Sequence, residues 1–352
     1  MLKRGIATLL SSLLIATSAG IGSVSAQNAK VTVGVNGLVS DAAFYIAEKN
    51  GYFKEQNLDV ELVSFVSGGA MVAPLSAGQL DIGGGAVSVG LFNAVARGIN
   101  IRIVADRAST TPTSSYIQLL IRKELSESGK VTSYRDLKGL RIATNGIGTT
   151  ADSRVNEALI RGGLKYDEAQ HVYNMPPPEH LNALKNNAVD AILTTEPIAS
   201  IIISRGIGTR LCKPDLYPNQ VIAALLYGGP FIEHRPDVAK KFMIAYVKAV
   251  RFYNDALVDG KFTGPNAKKV VDILVRNTNI TDRSMYDVMD GPSVNPDGRV
   301  DLDSLRKDFA FFKSQPEFDA DKKASVESAV NNTFVENALA VLGPYEPRRT
   351  RP

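Results

Sequence analysis

Three consecutive glycines, Gly83, Gly84 and Gly85, follow the apolar Ile82, and such a run can bring backbone N–H groups up against a phosphate. Two nucleotide fingerprints test that chemistry by their fixed spacing. A dinucleotide loop counted from Gly83 and Gly85 needs a glycine at position 88, where the chain has Ser88. A P-loop counted from Gly85 finds Gly90 in place, then Leu91 and Phe92 where a lysine and a hydroxyl residue are required. Both patterns fail, and the glycines need another role. Metal chemistry is no better served, because His171, His180 and His234 are scattered and Cys212 is the one cysteine. The isolated polar residues each have two readings. Ser40 and Asp41, ahead of AFYIAEKNGYF, suit a helix cap as well as a ligand contact, and Glu196 in TTEP suits a first-turn acid as well as a partner for a cationic or hydrogen-bond-donating group. His171 and His180 read as surface or packing residues, and Tyr116 and Tyr227 as either pocket lining or core.

These residues must be held by an alternation of strands and helices. VTVGVNG (31–37) is a β-branched run, followed by Ser40 and Asp41 and a helix ending at Gly51. LDVELVSF (58–65) is a second strand, and SGGA (67–70) leads to a helix starting near 69–71, since Pro74 is tolerated only in a first turn. A short strand at 80–83, a helix at about 86–97 closed by Gly98, and the strand INIRIVAD (99–106) complete a pattern that implies a parallel sheet covered by helices. In such sheets ligands sit at the carboxyl ends of the strands, beside helix N-termini.

After the Ser/Thr/Pro-rich link RASTTPTSS (107–115) the same grammar returns. Strands are expected at 116–123, 141–145, 170–175 and 189–194. Helices are expected after each of the last three, the first of them opened by a capping box of Thr149 and Asp152. VIAALLYGG (221–229) reads as a return crossing. Everything beyond it reads as helix: a long one from Pro236, then others at 265–276, 281–289, 301–313 and 323–342.

The first 26 residues, with Lys3 and Arg4 ahead of an apolar run and Val24-Ser25-Ala26 at the end, have the layout of a secretory signal peptide cleaved after Ala26. The apolar stretch is too short for a bilayer that needs about 20 residues. No lipobox cysteine lies there, so a soluble exported protein is expected. The formal charge of +4 drops towards neutrality with the leader, and the one basic cluster, PRRTRP at the C-terminus, reads as a solvated tail over 346–352. No nucleic-acid stripe is present and no cofactor is implied.

The run GYFKEQNLDVELVSFVSGGAMVAPLSAGQLDIGGGA (51–86), with SYRDLKGLRIAT (133–144) and VDAILTTEP (189–197), resembles the solute-binding proteins of ABC importers in the nitrate/sulfonate/taurine group, over residues 31 to about 260. The resemblance implies an α/β chain with the type II periplasmic-binding-protein fold: two Rossmann-like lobes joined by a two-strand hinge, with the helical C-terminal region on the first. Lobe 1 would take 27–110 and 220–345, lobe 2 would take 111–219, and the hinges would lie near 106–115 and 213–222. A monomer would close on one small solute in the periplasm and dock on an inner-membrane permease with its ATPase. Contacts are then expected from Ser40, Asp41, Ser67, Gly68, Gly69, Gly85, Ala86, Ser88 and Ser115, and from Asn145, Gly148, Thr149, Thr150 and Glu196 across the cleft. Gly83 to Gly85 would free backbone N–H groups at one helix start, opposite a second helix start at Thr149 and Thr150. That pairing suits a sulfonate, carboxylate or nitrate-like anion. The expected cleft loops carry no clear Arg or Lys, which argues against a tightly paired dianion. Thiamine-pyrimidine and menaquinone-type synthases share the domain, but the leader and the single cysteine argue against an enzyme. A ligand-presenting module for a sensor would look the same in sequence.

Overall fold

Ten strands divide between two five-stranded sheets in the computed structural model, which describes residues 28–65, 67–112, 114, 116–211, 216–319 and 323–347. The expected leader with Ala26, and Ser115, Cys212 and the tail from 348 on, lie outside the described residues.

The first sheet contains β1 (Ala29–Val35), β2 (Leu58–Ser64), β3 (Ile82–Ala86), β4 (Ile101–Ser109) and β10 (Val221–Gly228) in the order β2-β1-β3-β10-β4. The second holds β5 (Ile117–Arg122), β6 (Arg141–Ala143), β7 (Gln170–Val172), β8 (Ala191–Thr195) and β9 (Gly208–Arg210) in the order β7-β6-β8-β5-β9. The expectation of a parallel sheet needs correction. β1, β2 and β3 are parallel, but the returning β10 inserts antiparallel between β3 and β4, and β5 plays the same part between β8 and β9. β10 is buried along almost its whole length because helices cover both of its faces, which is why it reads as an unbroken apolar run.

One face of the first sheet is covered by helices Ala42–Lys49 and Pro236–Asn254. In the latter Ala239, Phe242, Met243, Tyr246, Val250 and Tyr253 recur at helical spacing and are buried, with Pro236 at the first helical position. The other face is covered by helices Val89–Ala96 and Leu302–Phe312, through Phe92, Phe309 and Phe312. The helix expected over 323–342 is two, Val326–Ala329 and Thr333–Leu342. The break falls where Val330 pairs with Ile103 of β4 and Asn331 N donates to the Ile103 carbonyl at 2.8 Å.

The C-terminal helices do not pack on the first lobe alone. Helix Leu302–Phe312 also lies against helix Thr150–Arg161 of the second, where Ser153 Oγ donates to Asp308 at 2.6 Å and Lys307 pairs with Glu157 at 2.7 Å. The two chain crossings bond to each other beside it. Thr110 N donates to Gln220 O (3.0 Å), Asn219 N to Thr110 O (3.1 Å) and Thr110 Oγ1 to Tyr217 O (2.6 Å).

Within the second lobe, Asp190 ties three strands together. It accepts the backbone N–H and both side-chain arms of Arg141, at 2.9–3.0 Å, and Arg122 Nη2 at 3.0 Å. The bonds from Arg141 hold its pKa down at about 2, below the usual 3.8. A depressed acid contributes stability that is present above its unfolded pKa and lost as pH falls through the folded one. Asp190→Asn is therefore expected to cost about 1–2 kcal/mol at pH 7, with the gap to wild type closing between pH 4 and pH 2 in urea titrations.

Candidate functional site

Because β1 runs parallel to β3, and β10 runs antiparallel to both β3 and β4, the carboxyl ends of β1, β3 and β4 share one edge. At that edge Asp41, just after β1, is fully buried. Its Oδ2 accepts the backbone N–H of Asn36 (2.9 Å) and Leu38 (3.1 Å), and its Oδ1 pairs with Arg107 of β4.

Arg107 reaches that far because of a register shift. Opposite Ala223 and Ala224 of β10 lie Ala108 and Asp106, so Arg107 is the extra residue of a β-bulge. The Asp106 carboxyl, itself buried, accepts Ser109 Oγ (2.7 Å), Asn295 N (2.7 Å) and the N–H groups of Arg107 and Ala108 that the bulge releases. Burial raises its pKa to about 7 against those bonds. The guanidinium then lies over Gly84, where a Cβ would come within 2.5 Å of Arg107 Nε and 2.8 Å of its Cζ. Gly84→Ala is accordingly expected to lower stability by about 1–3 kcal/mol through overpacking, read as a shift in urea midpoint at constant slope.

This revises the role expected for the glycines. Gly83, Gly84 and Gly85 are not a loop at a helix start but the buried middle of β3, and the helix begins only at Val89, capped by Ser88. Gly83 lies against Leu75 and Met71. Gly85 lies against Gly68, whose own Cβ would fall 2.5 Å from the Gly85 Cα. The run exists because two backbones and a buried guanidinium approach one strand closely.

The second lobe presents the loop after β6 and the end of β8. The two helix starts meet, with Ser88 bridging to Thr149 and Val89 N donating to Gly148 O at 2.9 Å. Several N–H groups around them are bonded inside the protein. Leu91 N turns to Ser88 Oγ (3.4 Å), and Asp152 accepts from Gly148 N (2.7 Å), Thr144 Oγ1 (2.7 Å) and Thr149 N. An internal carboxyl thus binds the loop just before the second helix, and burial raises its pKa to about 6. The expected capping box is half formed, since Thr149 Oγ1 donates to Gly146 O instead of accepting from the helix. Thr150 Oγ1 donates to Ile222 O at 3.3 Å, across the junction.

Glu196 is buried and takes the helix-start role. It accepts Ser200 N (3.0 Å), Ser200 Oγ (3.0 Å) and Gln118 Nε2 (2.8 Å), and burial raises its pKa to about 7. Its N–H donates to the carbonyl of Tyr116, whose buried hydroxyl feels the charges of Arg107, Asp41 and Glu196 together. Ser40 is buried beside Asp41, whereas Ser67, Gly69, Ala86 and Asn145 are exposed, Ser67 accepting only Ala70 N at 3.4 Å. Arg107, absent from the expected set, is buried at this edge beside Asp41. It lies in a stretch whose composition marks a linker, and a bulge has no signature in a single sequence. His180 is buried with Nε2 on Met175 O, and His171 stacks on Tyr166, so both pack. Tyr227 belongs to the core, its hydroxyl donating to Ala239 O.

Two α/β lobes joined by two crossings, with strand ends facing each other over a buried polar junction, define the type II periplasmic-binding-protein fold. The chain belongs to the NMT1-like family, whose model matches residues 25–262. It is 23% identical over 360 residues to a putative aliphatic sulfonates-binding protein of Bacillus subtilis, covering 96% of this chain and 97% of that one. A putative binding protein of Brucella abortus is 24% identical over 220 residues, or 60% of this chain, and the match spans 62% of that relative's length. The solved periplasmic aliphatic sulphonate binding protein SsuA of Escherichia coli superposes with a TM-score of 0.66 at 18% identity, covering 86% of this chain and 92% of that one.

Proposed function

We propose that this protein is the solute-binding component of an ABC importer, exported to the periplasm after loss of residues 1–26. It captures a small solute bearing an anionic group, of the sulfonate, carboxylate or nitrate kind, without chemical change and hands it to a membrane permease served by an ATPase. Lobe 1 is formed by 27–110 with 220–345 and lobe 2 by 111–219, and the chain acts as a monomer. The observation that carries this reading is the facing of the two strand edges: Asp41, Gly84 and Arg107 on one side, Tyr116, Gly148, Thr149 and Glu196 on the other. Closure of the lobes surrounds whatever lies between them, and contacts from both sides favour the shut state. The names carried by the Bacillus and Escherichia relatives support the solute class. Among the described residues no helix is long and apolar enough to cross a membrane, which fits a component that meets its permease from outside the bilayer.

Thermal melting of residues 27–352 against alkanesulfonates, aromatic carboxylates, nitrate and neutral analogues tests the reading. A solute at about 100 times its dissociation constant adds roughly 2.7 kcal/mol to the native state, an easily seen shift. No shift with any anion would sink the proposal, as would recovery of a chemically altered solute.

A further inference from the structure

We propose that Arg107 is the specificity-determining residue of this site, taking the acidic group of the solute directly, and that Asp41 limits that group to a single negative charge. The inference rests on the solute-binding reading above. A guanidinium has five N–H donors and cannot be discharged in a protein. Arg107 is 2% exposed, yet among the described residues Asp41 is the one acceptor it reaches, and its buried Nε has no partner at all. Buried donors of a charged group are satisfied in native proteins, so unused ones at the junction of two lobes point to an acceptor that arrives with a ligand.

The surroundings hold the side chain in that posture. The bulge aims it off the strand, and Asp106 fixes the bulge by taking up the N–H groups of Arg107 and Ala108. Gly84 supplies the flat floor beneath it. Asp41 cannot swing to cover the remaining donors, because its second oxygen is held by Asn36 N and Leu38 N. The orientation is also fixed with respect to the cleft. The edge carrying Arg107 is the carboxyl edge of the first sheet, and the hydroxyl of Tyr116, from the start of the second lobe, lies within reach of its charge.

Charge bookkeeping supplies the limit. The Arg107–Asp41 pair is neutral, so a monoanion leaves the buried cluster with one net negative charge and a dianion leaves two. In a poorly solvated site like charges at such range repel strongly. A planar fork shared between Asp41 and one further oxyanion therefore favours a monoanionic head.

The test is isothermal titration of the full mature chain with methanesulfonate, benzoate and nitrate, their neutral counterparts methanesulfonamide and benzamide, and the dianion sulfate. Wild type is expected to bind at least one monoanion at least 100-fold more tightly than its neutral counterpart and than sulfate. R107K, which keeps the charge beside Asp41, is expected to lose at least tenfold affinity for the monoanion. The double variant R107Q/D41N, in which no unpaired charge is buried, is expected to lose at least 100-fold. D41N is expected to gain at least tenfold for sulfate. Wild type binding none of the probes would overturn the solute-binding reading and this inference with it. Binding of the monoanion by folded R107Q/D41N within threefold of wild type would overturn the role of Arg107 alone, and an unchanged preference against sulfate in D41N would overturn the limiting role of Asp41.

Discussion

Replacing Phe242 by alanine is expected to lower the unfolding free energy by about 3–5 kcal/mol, the range for deleting a fully buried aromatic ring. Phe242 has no exposed surface. Its ring stacks on Phe53 (centroids 5.2 Å apart) and meets Phe44 (6.4 Å) and Tyr227 (6.3 Å). Those partners come from helix Tyr52–Glu55, helix Ala42–Lys49 and β10, so one side chain on the long helix joins three separate elements of the first lobe. None of them can close the void alone, because each is held by its own neighbours in the packed core. Denaturant titration at constant slope measures the loss. A drop below about 1 kcal/mol would mean that the cluster collapses freely, contrary to this packing.

Asp308→Ala is expected to cost about 1–2 kcal/mol at pH 4, and its comparison with Asp308→Asn is the more informative experiment. Asp308 Oδ1 accepts Ser153 Oγ (2.6 Å), Tyr217 OH (2.8 Å) and Gln220 Nε2 (3.1 Å), while Oδ2 has no partner. Alanine leaves the buried Ser153 Oγ without an acceptor, whereas Tyr217 OH and Gln220 Nε2 keep Ser304 O (3.2 Å) and Thr150 O (2.9 Å), a loss of about 1–2 kcal/mol. Asparagine keeps an acceptor oxygen and removes the titration. Burial raises the Asp308 pKa to about 6, above 3.8 for the free group. Between those values the folded protein holds a proton that the unfolded chain has released, so stability falls as pH rises through the window. The fall attributable to this residue is on the order of 3 kcal/mol at 1.36 kcal/mol per unit. Asp308→Asn should therefore gain on wild type from pH 4 to pH 6.5, and Asp308→Ala should run parallel to the asparagine variant at lower stability. Parallel curves for wild type and the asparagine variant would show that the carboxyl does not titrate in this range. Because the three donors come from helix Thr150–Arg161 and from the second crossing, the same variants report on how firmly the C-terminal helices brace the two lobes.

Much of this molecule is legible residue by residue. The alternation of β-branched runs with helices capped at Ser88 and closed at Gly51, the helix entries at Pro74 and Pro236, and the crossing at 221–229 follow from preferences that a residue exerts on its own backbone or on neighbours three or four positions away. These local rules, with the resemblance over residues 31 to about 260, determined the two-lobed α/β fold. What the tertiary structure alone decided are the places where distant segments share one space. β10 enters antiparallel between β3 and β4, the bulge at Arg107 depends on the register of β10, and the glycines of β3 answer a guanidinium and a loop rather than a turn of their own. Asp308 likewise reaches across from helix Leu302–Phe312 to Ser153. Each is a pairing between residues far apart in the chain or between a side chain and a register, and the energy of such a contact belongs to the pair, so neither residue type announces it alone.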